Sequence, residues 1–230
     1  MTSKAADAVA AIQSGDVERL RVLLAENPNL VLGRSDGART LLHVATDWPG
    51  RFPNQQATVA LLIEQGADVN APFRGRHCET PLHWAASSDN VAVLDMLLDH
   101  GADIEASGSV IGGGTPLADA VAFGQWEAAR RLIERGAKAN LWEAAALGLM
   151  DRVQEFFTGD RLPERNEITN AFWCACHGGQ REAAEYLLKR GADRDWVGHD
   201  GLTPDAAARR SGALEIAEWL GAGNFTRSPE

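Results

Sequence analysis

The feature that most constrains this chain is internal repetition. The phrase ETPLHWAA at Glu79–Ala86 is echoed by GTPLADAV at Gly114–Val121. RTLLHVAT (Arg39–Thr46), LTPDAAAR (Leu202–Arg209) and ITNAFWCA (Ile168–Ala175) are weaker copies. A second phrase follows each at a fixed interval: LLIEQGADVN (Leu61–Asn70), MLLDHGADIE (Met96–Glu105), RLIERGAKAN (Arg131–Asn140) and YLLKRGADRD (Tyr186–Asp195). Self-similarity at such a period marks an array of small units, each unable to bury its apolar face alone and therefore stacked on its neighbours.

Local chemistry says what one unit is. Thr at the start of a phrase suits a helix N-cap, and the Pro after it suits the first helical position, where the missing N–H costs nothing. The alanine pair in WAAS lets two helices approach closely. In the second phrase Val91, Leu94, Leu97 and Leu98 recur at helical spacing, and Gly101 supplies the left-handed residue that ends the helix. Gly66, Gly136 and Gly191 repeat that stop. Each unit is a helix, a turn and a second helix.

The paired phrases resemble the ankyrin repeat, with its T-P-L-H helix start and later L-L-x-x-G-A-D, from about Ala5 to Gly223. The resemblance implies an all-α solenoid of seven helix–turn–helix units joined by short β-hairpin fingers. Residues 1–36 read as an N-terminal capping repeat with Leu20, Leu23 and Leu24 on one face, and 37–199 as the central repeats. Residues 200–223 read as a C-terminal cap carrying Glu215 and Glu218, and 224–230 as a tail; the whole is read as one solenoid domain. His43 and His83 are expected to hydrogen-bond between repeats. Their counterparts are taken as Ala118, Trp142 and Phe172, so that network is expected to stop after unit three.

Spacing departs from the family's 33 residues in three places. Thr40 to Thr80 spans 40 residues, and the excess falls in the loop Asp47–Gln56. The finger Ala106–Gly114 is rich in glycine and serine and reads as flexible. Asn140 runs straight into LWEAAALG, so a finger is missing between units four and five; with Ala139 at the Thr position the interval from Thr115 is 24 residues.

The resemblance also implies a concave face built from fingers and inner helices. Four residues after each Thr position, Trp84, Asp119, Glu143 and Trp173 fall in consecutive units. Seven and eight residues after come Ser88, Phe123 and His177, and the long loop adds Trp48, Arg51 and Phe52. These ten residues form the candidate binding surface, and Trp and Arg suit hot spots. The expected function is a scaffold for a protein partner. The alternative is a small-molecule pocket, or a cofactor-independent acid–base enzyme using Asp119, Glu143 and His177, which requires burial or like-charge repulsion to raise one carboxyl pKa. Bland readings stand beside these: the tryptophans pack between repeats, the carboxylates are solvated, and His177 is structural.

Composition narrows the classes. The net charge of −10 opposes binding to phosphate backbones and anionic membranes, and favours a partner with a basic or amphipathic surface. Three cysteines are too few for a disulfide framework, and no apolar leader or membrane-length run stands out, so a cytoplasmic monomer without cofactor or metal is expected. Cys174 and Cys176 lie two apart on a helix, face different ways, and read as buried apolar residues rather than ligands.

Overall fold

A computed structural model describes residues 3–47, 51–198 and 200–222. The described residues are helices joined by turns, without strands, and none of the helices is long and apolar enough to cross a membrane. They divide into two compact units, Met1–Ala137 and Lys138–Glu230.

The first unit holds α1 (Ser3–Ser14), α2 (Val17–Glu26), the single turn α3 (Asn29–Leu32), α4 (Leu41–Thr46), α5 (Gln55–Glu64), α6 (Pro81–Ser87), α7 (Val91–Asp99), α8 (Pro116–Ala122) and α9 (Trp126–Glu134). The second holds α10 (Leu141–Leu147), α11 (Met150–Glu155), α12 (Arg165–His177), α13 (Arg181–Leu188), α14 (Pro204–Arg210) and α15 (Leu214–Gly221). With α3 as an appendage, these are seven helix pairs, as the two recurring phrases predict.

Each pair is built from its ends inward. Pro81, Pro116 and Pro204 open their helices, and the outer helices α5, α7, α9 and α13 stop at Gly66, Gly101, Gly136 and Gly191, with φ between +86° and +98°. Leucines from outer helices and alanine pairs from inner ones fill the core: Leu61, Leu62, Leu94, Leu97, Leu132 and Leu187 are at most 1% exposed, as are Ala85, Ala86, Ala144 and Ala145. Small residues on the inner helices allow the backbones to close up, and the leucines supply the apolar area whose removal from water drives stacking. In α7 the buried set is Val93, Leu94 and Leu97; Val91 and Leu98 are only partly covered. At the array ends, Leu20, Leu23 and Leu24 are buried in α2, while Glu215 and Glu218 are exposed on α15.

The fingers are tight turns closed by backbone bonds. Ser35 N donates to Arg39 O (2.8 Å), Phe73 N to Glu79 O (2.7 Å), Ser109 N to Gly114 O (3.0 Å) and Gly198 N to Leu202 O (2.9 Å). In the first unit neighbouring fingers are tied together, Arg74 N to Ala38 O (3.3 Å) and Cys78 N to Gly108 O (3.1 Å). The connection from Glu134 to Leu141 holds no finger, as its length dictates.

Capping geometry corrects the register assumed for units five and six. The N-cap of α10 is Asn140, not Ala139: its side chain accepts from Glu143 N (3.1 Å), and Glu143 Oε2 accepts from Asn140 N (2.8 Å). Helix α12 begins a turn early, at Arg165, and ends at Gly178. The inner helices α6, α8, α10 and α14 have their C-caps eight residues beyond the N-cap Thr or Asn. Counting back eight from Gly178 puts Asn170 at the Thr position. Glu143 and Trp173 therefore occupy the place of His43 and His83, not that of Trp84 and Asp119.

Candidate functional site

The corrected register explains Trp173. In His43 the ring Nδ1 accepts from Thr40 N (3.3 Å) while Nε2 reaches Glu79 O (3.1 Å). His83 repeats this, with Nδ1 on Thr80 N (3.1 Å) and Nε2 at Gly114 O (3.4 Å). Glu79 and Gly114 are the residues just before the next unit's N-cap. Trp173 donates from Nε1 to Leu202 O (2.8 Å), and Leu202 precedes the N-cap Thr203. The inter-repeat bond expected to end after unit three is thus present again in unit six, made by an indole. Burial holds the His43 imidazole down at about 4, so it is neutral and keeps the tautomer this bridge needs.

A buried polar cluster lies in the first unit, around Asp119. Its side chain is fully buried on α8. Oδ1 accepts a short bond from Ser109 Oγ in the third finger, and Ser109 Oγ also accepts from Ile111 N (2.8 Å). The nearby carboxylate is Glu79, 6% exposed, at the base of the second finger. Glu79 accepts from Trp84 Nε1 (2.9 Å) and from Val110 N (3.4 Å). His77 Nδ1 lies 2.8 Å from it without the alignment of a hydrogen bond. Burial pushes the Asp119 carboxyl up to about 8; the Ser109 bond opposes that, and the Glu79 charge adds to it. Asp119 is therefore protonated at neutral pH, and two acids share one site because one of them stays uncharged. The third finger, expected to be flexible, is held at Ser109 and Val110 by this cluster.

The cluster includes residues that sequence reasoning passed over. Glu79, His77 and Ser109 are all within it; Glu79 was visible only as the letter before Thr80, and Ser109 as part of a glycine-rich run. Rings pack on the same ground: Phe73 stacks on His77 at 5.1 Å, and Trp84 lies 5.6 Å from Phe73 and 5.0 Å from His43. Trp84 thus packs between repeats, as its bland reading held.

Glu143 belongs to the second compact unit and Asp119 to the first, and each is engaged in its own helix cap or finger. His177, 7% exposed at the end of α12, places Nδ1 2.7 Å from Ser211 Oγ and stacks on Trp173 at 5.6 Å. Phe123, at the C-cap of α8, is 50% exposed. Arg51, Phe52 and Ser88 line one open cleft of about 590 Å³, with the side chains of Asn54, Gln55 and Asn90. Trp48 lies outside the described residues. Cys174 and Cys176 are buried, which pushes both thiols far above their ordinary range.

Comparison with known proteins agrees with the repeat geometry. The family description "Ankyrin repeat" matches residues 39–72, and "Ankyrin repeats (3 copies)" matches 74–141. An ankyrin repeat and KH domain-containing protein of Caenorhabditis elegans is 30% identical over 154 residues, covering 61% of this chain and 6% of that protein. A putative ankyrin repeat protein of fowlpox virus is 32% identical over 132 residues, 56% of this chain and 28% of the viral protein. Rabankyrin-5 of Mus musculus is 36% identical over 84 residues, 32% of this chain and 7% of the mouse protein. The chain thus spans under a third of the length of these relatives. From its repeated helix pairs, its inter-repeat bridges and these matches, the chain belongs to the ankyrin-repeat family.

Proposed function

We propose that the chain is a protein-binding module that takes its partner on the face formed by its fingers and inner helices. Ankyrin repeats generally mediate protein–protein interaction, and one observation supports that face here. Val110 on the third finger and Phe123 at the end of α8 leave 45% and 50% of their surface in water, on a finger and a helix joined by the Ser109–Asp119 bond. A fixed base under exposed apolar side chains lowers the ordering cost of binding. Asp119 serves that base: closed off from solvent and bonded to Ser109, it holds the finger rather than meeting a substrate. The three cysteines are free thiols, which supports a reducing, cytoplasmic setting, and we take the working state to be a monomer.

The test is site-specific photo-crosslinking in cells of the source organism. A photoreactive residue at position 123 is compared with one at position 22, where Val22 is equally exposed on the outer helix α2. A discrete protein adduct at 123 and none at 22 supports the proposed face. Equal labelling at both, or labelling only at 22, removes it. Light scattering after size-exclusion chromatography reads the oligomeric state.

A further inference from the structure

The charge at the tips of the first two fingers is opposite to that of the chain. Finger one runs Arg34-Ser-Asp-Gly-Ala-Arg39, and finger two Phe73-Arg-Gly-Arg-His-Cys-Glu79. The one acid of finger one is already matched: Arg39 pairs with Asp36 at 2.7 Å, and also with Asp47 at the end of α4 at 2.7 Å. Arg34, Arg74 and Arg76 form no ion pair among the described residues, and Arg74 and Arg76 are exposed. Two of the three are brought together by one acceptor: the Ala38 carbonyl takes both Arg34 Nη1 and the backbone N of Arg74 (3.3 Å). Burial first, and then the charge of Arg74, hold the Arg34 guanidinium below its ordinary range; Asp68 is the acid that offsets them.

The second tip is also stiff. The Phe73 ring stacks on His77 and lies over Gly75, where an added Cβ would come within 2.1 Å of a ring carbon. Glu79 at the finger's base is buried against Trp84, Val110 and His77 and makes no ion pair with Arg74 or Arg76. Two guanidinium groups are thus presented from a fixed turn, and a third stands on the adjacent finger. Guanidinium forks match carboxylate geometry in pairs, which a lysine patch would not.

We propose that Arg34, Arg74 and Arg76 form the docking site for an acidic peptide segment of the protein partner. This rests on the protein-binding reading and replaces the basic partner that net charge alone suggests. A short acidic segment meets only the fingertips. A nucleic acid or an anionic membrane extends beyond one Debye length, about 8 Å at physiological salt, and meets the rest of a chain of net charge −10.

The experiment measures fluorescence anisotropy of a short labelled peptide of alternating Glu and Ser against the full chain, with the Gln/Ser peptide, single-stranded DNA and phosphatidylserine vesicles in parallel. The variants are Arg74→Glu/Arg76→Glu and, with the same change in net charge, Arg19→Glu/Arg130→Glu, whose residues are exposed and lie on α2 and α9. Circular dichroism checks that each folds. The expected result is binding of the Glu peptide alone, weakening with salt, reduced about ten-fold or more in the fingertip variant and within two-fold of wild type in the control. Equal loss in both variants, no binding of the Glu peptide, or tighter binding of DNA or vesicles each overturns the inference. A partner that still crosslinks at position 123 but is indifferent to Arg74 and Arg76 overturns this site alone and leaves the protein-binding reading standing.

Discussion

Replacing Asp119 by Asn should make the protein more stable, and by an amount that grows with pH. The structure sets the direction and the ceiling. Asp119 is fully buried and its carboxyl is pushed from 3.8 to about 8 by burial, with Glu79 adding to the rise. In the unfolded chain the same carboxyl ionises near 3.8. An acid whose folded value is raised costs nothing below the unfolded value; as pH climbs from 3.8 towards 8 the unfolded state releases a proton that the folded state must keep. The cost is about 1.4 kcal/mol per pH unit. At neutral pH the interval is 7 − 3.8 = 3.2 units, giving a ceiling of about 4 kcal/mol. Asn is the neutral isostere: its Oδ1 can accept from Ser109, so that bond survives. The assay is urea unfolding followed by tryptophan fluorescence on wild type and Asp119→Asn from pH 4 to above 8. The two should coincide near pH 4 and separate steadily, with wild type falling behind. A difference that is flat across that range would mean Asp119 is ionised in the fold, and the account of an uncharged Asp119 beside Glu79 would be wrong.

Other consequences follow from contacts already described. Gly178→Ala should destabilise the second unit by several kcal/mol, because the new Cβ would lie 1.9 Å from the Ala146 carbonyl oxygen, a backbone atom; Gly66→Ala, with open space but φ +89°, should cost only about 1 kcal/mol, and thermal melts of the two rank them. Trp173→Phe removes one of the two donors to Leu202 O while keeping a ring; Gly198 N still satisfies that carbonyl, so the cost should be the net worth of one hydrogen bond, about 0.5–1.5 kcal/mol, read by hydrogen exchange of the Thr203 turn.

The fold was legible because repetition, capping residues and glycine stops each report one local requirement, and together they admit one kind of unit. The register was legible only where the phrase carried Thr and Pro. In units five and six Asn140 and Asn170 replace Thr, Pro is gone, and a reading by letters slipped one place. That slip alone put Glu143 and Trp173 in line with Trp84 and Asp119. The cluster that does form around Asp119 joins residues from two fingers and a helix, Glu79, Ser109 and Asp119 itself. Such a meeting depends on how adjacent fingers bond to one another, which no spacing along a single unit reports. Exposure at Val110 and Phe123 was likewise beyond a pattern read for its apolar periodicity.

The bridge from the inner helices α4, α6 and α12 to the carbonyl before the next cap has a further meaning. What His43, His83 and Trp173 have in common is neither charge nor ring type but an N–H at one reach from one backbone atom. The position works as a gauge: it measures where the following repeat begins. Any side chain that delivers a donor to that point preserves the step from one repeat to the next, so an array of this kind can exchange the residue without losing its pitch. Repeats designed on this scaffold would be joined by matching donor reach at the third helical residue, and their faces could then be varied independently of how they are coupled.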